Sequence, residues 1–140
     1  MMLVLPVLLV AGAVLTGGCV GEIEAPPQPT QIIENITPQE TFTLIQNNKN
    51  NPDFLIIDVR TREEFADGHI EDAINIDFRS ETFRDKLNNL DKNKTYLIYC
   101  RSGTRSGNAL NVMEELNFQE VYNMSGGIIE WKAAGFPTTK

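Results

Sequence analysis

One cysteine stands in a sequence context that favours covalent chemistry. Cys100 follows an apolar run over residues 96–99 and opens the segment Cys100-Arg101-Ser102-Gly103-Thr104-Arg105-Ser106. A thiol attacks as its thiolate, which is favoured by free backbone N–H groups, a helix N-terminus and nearby arginines. Gly103 permits a tight turn, and Arg101 and Arg105 carry permanent positive charge. The segment therefore predicts an anion-binding loop around one sulfur atom at the start of a helix.

The alternative is that Cys100 is a small buried residue at the end of a core strand, as most unpaired cysteines are. The residues that follow it disfavour this interpretation. A structural cysteine does not require two arginines, a glycine and three hydroxyl residues directly after it. The hydroxyls of Ser102, Thr104 and Ser106 can instead donate hydrogen bonds or cap the helix. We therefore interpret Cys100 as the nucleophile.

Predicted strands and helices alternate along the chain, which positions this loop. Thr37-Pro38-Gln39-Glu40 is a capping box with proline at the first helical position, and it predicts a helix to about Asn47. The apolar run Phe54 to Val59 is typical of a strand covered on both faces. The other predicted elements are a helix from residue 61, a strand over 73–76, a helix capped by Ser80 and ending near Leu90, a strand over 96–99, a helix over 105–116, a strand at 121–122 and a helix over 128–134. This order predicts an α/β fold with a mainly parallel sheet, in which ligands bind at the carboxyl ends of the strands.

Several motifs resemble those of the rhodanese-like domains, in the same order and at matching spacing, from about Ile33 to Pro137. They are Leu55-Ile56-Ile57-Asp58-Val59-Arg60, Glu63-Glu64-Phe65, Gly68-His69-Ile70, Ala73-Ile74-Asn75-Ile76, the Cys100 loop and Ser125-Gly126-Gly127-Ile128-Ile129-Glu130-Trp131. The resemblance implies a single rhodanese-like domain, with helices on both faces of the sheet.

The resemblance also implies a sulfurtransferase. Cys100 would take the outer sulfur of thiosulfate or a polysulfide as a persulfide and pass it to a thiophilic acceptor, cyanide or a thiol. The donor anion would be bound by the loop residues Arg101, Ser102, Gly103, Thr104 and Arg105. No organic cofactor is implied, and no cluster of histidine, cysteine and carboxylate residues has the spacing of a metal site.

Two alternatives remain open beside sulfur transfer with turnover. One is a sulfur-carrier or sulfide-binding module whose client is another protein. The other is a phosphatase, because a branch of the family resembles Cys-x5-Arg enzymes. The spacing from Cys100 to Arg105 is Cys-x4-Arg, with Ser106 where the phosphatase arginine would stand. A smaller loop suits a persulfide sulfur better than a phosphate, which disfavours the phosphatase.

Five further residues are expected to support the site by analogy with the family. Asp58 and Arg60 end a buried strand and are interpreted as a paired structural frame, since buried charges persist when they are paired. His69, the only histidine, could serve as a general base, but the family uses this turn structurally. Gly126 and Gly127 permit a close backbone approach near the cysteine.

The N-terminus has the composition of a leader and a tether. Residues 1–18 are almost wholly apolar and predict a signal peptide or a membrane anchor. Residues 19–32 contain a proline-rich tether, and residues 33–140 form the domain. Cys19 follows two glycines and resembles a lipidated cysteine, although Thr16 replaces the usual aliphatic residue and no basic residue precedes the apolar run. The expected location is extracytoplasmic and attached to a membrane through the N-terminus.

Length and charge limit the remaining possibilities. The chain of 140 residues, with a net charge of −7, fits one domain and carries no electrostatic footprint for nucleic acid. The expected partners are a small sulfur-containing anion and a thiol acceptor, in addition to the membrane.

Overall fold

A computed structural model describes residues 17–18, 21–27 and 29–140 of the chain. The predictions for residues 1–16 and for Cys19 lie outside the described residues. Within the described part, five strands alternate with five helices. In chain order these are β1 (Ile32–Ile36), α1 (Pro38–Asn47), β2 (Phe54–Asp58), α2 (Arg62–Asp67), β3 (Ile74–Asn75), α3 (Phe83–Asn88), β4 (Thr95–Tyr99), α4 (Thr104–Glu115), β5 (Glu120–Met124) and α5 (Gly127–Ala133).

The five strands form one sheet in the order β1-β5-β4-β2-β3. Every neighbouring pair is parallel; Ile57 of β2, for example, lies opposite Ile98 of β4. All five strands therefore end at the same edge of the sheet. The predicted α/β fold with a parallel sheet is confirmed, and Cys100 follows β4, which lies between β5 and β2.

Helices cover both faces of the sheet. Ile57, Ile98 and Cys100 belong to a buried cluster with residues of α3 and α4. Ile56, Leu97 and Tyr99 belong to a second cluster with residues of α1 and α5. Because successive side chains of a strand point to opposite faces, the sulfur of Cys100 lies on the α3/α4 face.

The starts of α1 and α2 follow from local sequence. The hydroxyl of Thr37 accepts the N–H of Glu40, whose carboxylate accepts the N–H of Thr37 in return. This is the predicted capping box. Thr61 caps α2 in the same manner by accepting the N–H of Glu64. Glu64 is thereby fixed in the first turn of α2.

Two features differ from the prediction. The strand β1 was not predicted, because Ile32, Ile33 and Ile36 show neither strand nor helix periodicity; it is an edge strand paired along its length with β5. The predicted cap Ser80 does not begin α3 directly. Its hydroxyl accepts the N–H of Thr82 in a preceding turn, and the helix begins at Phe83.

The segment before β1 has no regular secondary structure where it is described. The side-chain amide of Gln31 links this segment to the domain by donating to the carbonyl oxygens of Glu114 and Phe118. Among the described helices, none has the length and apolar character needed to span a bilayer.

Candidate active site

The loop after β4 surrounds the sulfur of Cys100 with hydrogen-bond donors. The N–H of Gly103 donates to Sγ over 3.1 Å, and the hydroxyl of Ser106 donates to it over 3.3 Å. Gly103 has a φ of 101° and is the N-cap of α4, a conformation that glycine adopts without the Cβ penalty. Cys100 itself is only 1% exposed. The predicted loop at a helix start is therefore present, with the sulfur facing its donors.

These surroundings change the acidity of the thiol. Burial raises the pKa of Cys100, but hydrogen bonds from the Ser106 hydroxyl and from the N–H groups of Ser106, Gly103 and Ser102 outweigh burial and lower it below the ordinary thiol value. The folded protein thus favours the thiolate, as a nucleophilic cysteine requires.

The start of α5 packs directly against the backbone of the loop. The N–H of Ile128 donates to the carbonyl oxygen of Cys100 over 2.9 Å, and that of Ile129 donates to Arg101 over 3.2 Å. Gly127 has a φ of 61°, and a Cβ on it would lie 2.6 Å from the Cys100 carbonyl oxygen. A side chain at Gly127 would push α5 away from the loop. The close backbone approach expected at Gly127 is seen here.

Gly126 lies beside Gly103 of the loop. It is the N-cap of α5, with a φ of 75°, and its nitrogen is 3.2 Å from the position of a Cβ on Gly103. A Cβ on Gly126 would lie 2.6 Å from Cγ of Glu130. The exposed side chain of Glu130 thus folds back over Gly126.

The two arginines of the loop have different environments. Arg105 forms a two-pronged ion pair with Glu64, in which its terminal nitrogens lie 2.7 and 2.9 Å from the two carboxylate oxygens. Arg101 is exposed, and its side chain contacts no hydrogen-bond or ion-pair partner within the described ranges. The loop therefore presents one paired guanidinium and one that faces solvent.

The pair formed by Asp58 and Arg60 lies on the other face of the sheet. Arg60 donates from Nε and Nη2 to the Asp58 carboxylate, at 2.7 Å for the shortest contact, and from Nη2 to the carbonyl oxygen of Gly68. Asp58 is 0% exposed and Arg60 is 5% exposed. The side-chain amide of Asn75 donates to the carbonyl oxygens of both residues. These contacts join the end of β2 to the turn before Ile70.

His69 contacts that same turn and the C-terminal segment. Its ring stacks on Phe65 with a centroid distance of 3.7 Å, and Nδ1 lies 2.8 Å from the carbonyl oxygen of Phe65. Its backbone exchanges two hydrogen bonds with Thr139. The hydrogen bonds of His69 therefore join α2 to the C-terminal segment of the domain.

The described residues contain no group of histidine, cysteine, aspartate or glutamate side chains that could hold a metal ion. A cavity of about 480 Å³ lies between the end of α1, the start of β2 and Ile74, and Trp131 contributes to its wall. No residue of the Cys100 loop lines it. The cavity is thus separate from the Cys100 loop.

Comparison with known proteins agrees with this geometry. The family model of the rhodanese-like domain matches residues 41–134, which include β2, the Cys100 loop and the start of α5. The chain belongs to the rhodanese-like domain family.

Similar proteins include curated sulfurtransferases. The chain is 35% identical to a sulfurtransferase of Allochromatium vinosum over 70% of its own length and 90% of that protein. It is 36% identical to the putative sulfurtransferase YtwF of Bacillus subtilis, over 69% of this chain and 91% of the relative. It is also 38% identical to the tRNA uridine(34) hydroxylase of Photorhabdus laumondii, over 59% of this chain but only 24% of that protein. The two relatives that the chain matches over about nine tenths of their length are thus named as a sulfurtransferase and a putative sulfurtransferase.

Solved structures show the same fold. A rhodanese-like domain protein of Staphylococcus aureus aligns with a TM-score of 0.58 at 34% identity, covering 70% of this chain and 90% of that one. A rhodanese-related protein of Thermoplasma volcanium aligns with a TM-score of 0.63 at 26% identity, covering 76% and 97%. The single rhodanese-like domain expected from the sequence is confirmed as a fold.

Two residues of this rhodanese-like site were not assigned to it from the sequence. Ser106 was one of three candidate hydroxyls, and its position in the first turn of α4 directs it to Sγ; Ser102 and Thr104 are exposed. Glu64 was quoted only as part of a motif. It lies 41 residues before Arg105, and no local pattern links the two. The signal available in the sequence was that Glu64 is a charged residue in the first turn of the predicted helix after β2.

Proposed function

We propose that this protein is a sulfurtransferase in which Cys100 carries a sulfane sulfur as a persulfide. The observation that carries the proposal is the pair of donors, the Gly103 N–H and the Ser106 hydroxyl, that meet at Sγ. Fixed donors of this kind stabilise a negative charge on sulfur without reorganisation. They support the thiolate before transfer and the persulfide anion after it.

The reaction divides into two displacements. In the first, the Cys100 thiolate attacks the outer sulfur of thiosulfate; the S–S bond of the donor breaks, and sulfite leaves with the bonding electron pair. A polysulfide would react in the same manner and leave as a shorter polysulfide. In the second, cyanide or a thiolate attacks the outer sulfur of the persulfide and leaves as thiocyanate or as a new persulfide, which regenerates the Cys100 thiolate. No proton transfer is needed in either displacement, and no histidine is required at the sulfur.

The size of the loop supports sulfur over phosphorus chemistry. Both donors to Sγ come from within six residues of Cys100, and α5 closes the loop from the other side. A loop of this size suits the single charged atom of a persulfide better than a phosphate group. A tetrahedral phosphate needs the wider Cys-x5-Arg loop, which this chain lacks.

Mass spectrometry of the intact protein tests the proposal. After incubation with thiosulfate, the mass should rise by one sulfur atom, and cyanide should remove it with formation of thiocyanate. Cys100→Ser should fold but gain no sulfur, because a serine hydroxyl cannot form a persulfide. Thiocyanate formation by Cys100→Ser at the wild-type rate would refute the mechanism. A protein that gains the sulfur but passes it to cyanide or a small thiol only negligibly would be the sulfur carrier.

A further inference from the structure

One of the two arginines in the Cys100 loop has its charge offset by a carboxylate. Arg105 is held by Glu64 in the ion pair described above, with side chains 15% and 28% exposed. Arg101 is exposed and forms no ion pair within the described residues. One of the two guanidinium groups of the loop is thus offset by a carboxylate. A donor anion that reaches the Cys100 thiolate therefore meets a negatively charged nucleophile and a single uncompensated guanidinium, that of Arg101.

The ion pair between Glu64 and Arg105 is stabilised by a further hydrogen bond to the carboxylate. One oxygen of the Glu64 carboxylate accepts the hydroxyl of Thr61 over 3.2 Å in addition to Arg105. Hydrogen bonds from Arg105 lower the pKa of Glu64 to about 2, so that Glu64 stays ionised throughout the neutral range. The same hydrogen bonds raise the pKa of Arg105, and the negative charge of Cys100 contributes in the same direction. Arg105 thus interacts with the sulfur electrostatically while its charge is offset by Glu64.

We propose that Glu64 is a specificity-determining residue: it neutralises Arg105 and so disfavours dianionic sulfur donors such as thiosulfate relative to donors with one negative charge. The inference rests on the proposed function and names the donor class that the loop prefers. Arg101 is then the guanidinium left to attract the donor. Sulfur bound to a singly charged leaving group is transferred with less repulsion at the thiolate.

Two donors of different charge test the inference. Thiosulfate carries two negative charges and releases sulfite, whereas methanethiosulfonate carries one and releases methanesulfinate; both give the same Cys100 persulfide. Glu64→Gln should raise the ratio of kcat/KM for thiosulfate to kcat/KM for methanethiosulfonate by about 3- to 10-fold, the effect of one unit charge at short range in partly screened surroundings.

Two matched variants separate charge from shape. Glu63→Gln removes the same charge from an exposed neighbour on α2 and should leave the donor ratio within about twofold of wild type, because distant exposed charges are screened. Glu64→Asp retains the charge and should keep a ratio close to that of wild type. An unchanged ratio in Glu64→Gln, or an equal rise in Glu63→Gln, would overturn the proposal.

The wild-type protein offers a test that needs no variant to fold. Salt screens the repulsion between the donor and a protein with a net charge of −7 whose loop has only one uncompensated guanidinium, so raising the ionic strength should raise the thiosulfate to methanethiosulfonate ratio. A fall in the ratio would mean that the loop attracts the dianion, which contradicts the proposal.

Alkylation distinguishes a failure of this inference from a failure of sulfur transfer. Iodoacetate is an anion and iodoacetamide is neutral, and both react with the same Cys100 thiolate. The ratio of their rates should rise about 3- to 10-fold in Glu64→Gln, even if the protein turned over no sulfur donor at all. If sulfur transfer is observed and neither ratio changes, the role of Glu64 is refuted and the proposed function stands.

Discussion

Two polar clusters follow neighbouring parallel strands at one edge of the sheet, Asp58 with Arg60 after β2 and the Cys100 loop after β4. In the first, each charge has its counter-charge, and Arg60 also binds the Gly68 carbonyl oxygen. In the second, the anionic atom has neutral donors alone, the Gly103 N–H and the Ser106 hydroxyl. The charged group at the centre of each cluster is buried, but the two clusters stabilise that charge differently.

The difference separates a cluster that stabilises the fold from one that can react. A buried ion pair with complete hydrogen bonding has no capacity for a further ligand, and breaking it leaves an uncompensated charge. A thiolate held by neutral dipoles keeps its nucleophilic electron pair. We therefore expect variants of the first cluster to change stability and variants of the second to change the chemistry of the sulfur.

The largest expected effect is on stability, in Asp58→Asn. The substitution leaves the buried guanidinium of Arg60 without its counter-charge and should lower the free energy of unfolding by about 3–5 kcal/mol. Glu115→Gln is the matched control, because it breaks the exposed pair with Arg84 and should change that free energy by less than about 1 kcal/mol. Urea unfolding measures both.

The comparison also requires that Asp58→Asn spare the thiol. At a temperature where the variant is folded, the pH midpoint of Cys100 alkylation should stay near that of wild type, because neither Asp58 nor Arg60 hydrogen-bonds to Sγ. A midpoint that moved as far as in a variant of the loop would show that the two clusters act as one.

Gly127→Ala should have the next largest effect, and it should affect both stability and chemistry. Its φ of 61° and the 2.6 Å approach to the Cys100 carbonyl oxygen leave no room for a methyl group. We expect a loss of roughly 2 kcal/mol or more in stability and slower sulfur transfer, because the loop must shift. Gly107→Ala, inside α4 with a nearest contact of 3.9 Å, should be neutral or stabilising.

The smallest effect is expected in Ser106→Ala, which should change the thiol and little else. The hydrogen bond from the Ser106 hydroxyl lowers the pKa of Cys100 more than any of the backbone hydrogen bonds does. Its loss should therefore raise that pKa toward the ordinary value. Thiolate disappears as the pH falls through the pKa of the folded protein, so the alkylation profile should shift to higher pH. Ser102→Ala removes an exposed hydroxyl and keeps the amide, and should leave the midpoint unchanged.

Local patterns in the sequence were sufficient to predict most of the elements that carry these clusters. The capping box at Thr37 fixed the start of α1, and the apolar runs before Asp58 and Cys100 gave β2 and β4. The strand β1 was missed because an edge strand need not alternate: all five residues of its pattern Ile-Ile-Glu-Asn-Ile are exposed or half-buried. Its pairing with β5 depends on a contact across nearly the whole domain.

The candidate site was predicted less completely than the fold. The loop, its glycine and the role of Gly127 follow from residue types that tolerate few conformations. The Arg105 partner does not, since arginine can pair with any carboxylate that the fold brings near it, and Glu63 stands directly beside Glu64. Which of the two faces the loop depends on the rotation of α2, and the Thr61 cap fixes that rotation.

The direction of β1 determines at which side of the domain the N-terminal segment enters. Because β1 runs parallel to β4, residue 32 lies at the edge of the sheet where strands begin, and Cys100 lies at the opposite edge, about 15 Å away for strands of five residues. A chain that enters at Ile32 therefore attaches to the side remote from the thiol. If the N-terminal leader tethers the protein to a membrane, as its sequence predicts, the tether joins the domain at the side opposite the Cys100 loop and leaves the approach to the thiol free for soluble donors and acceptors.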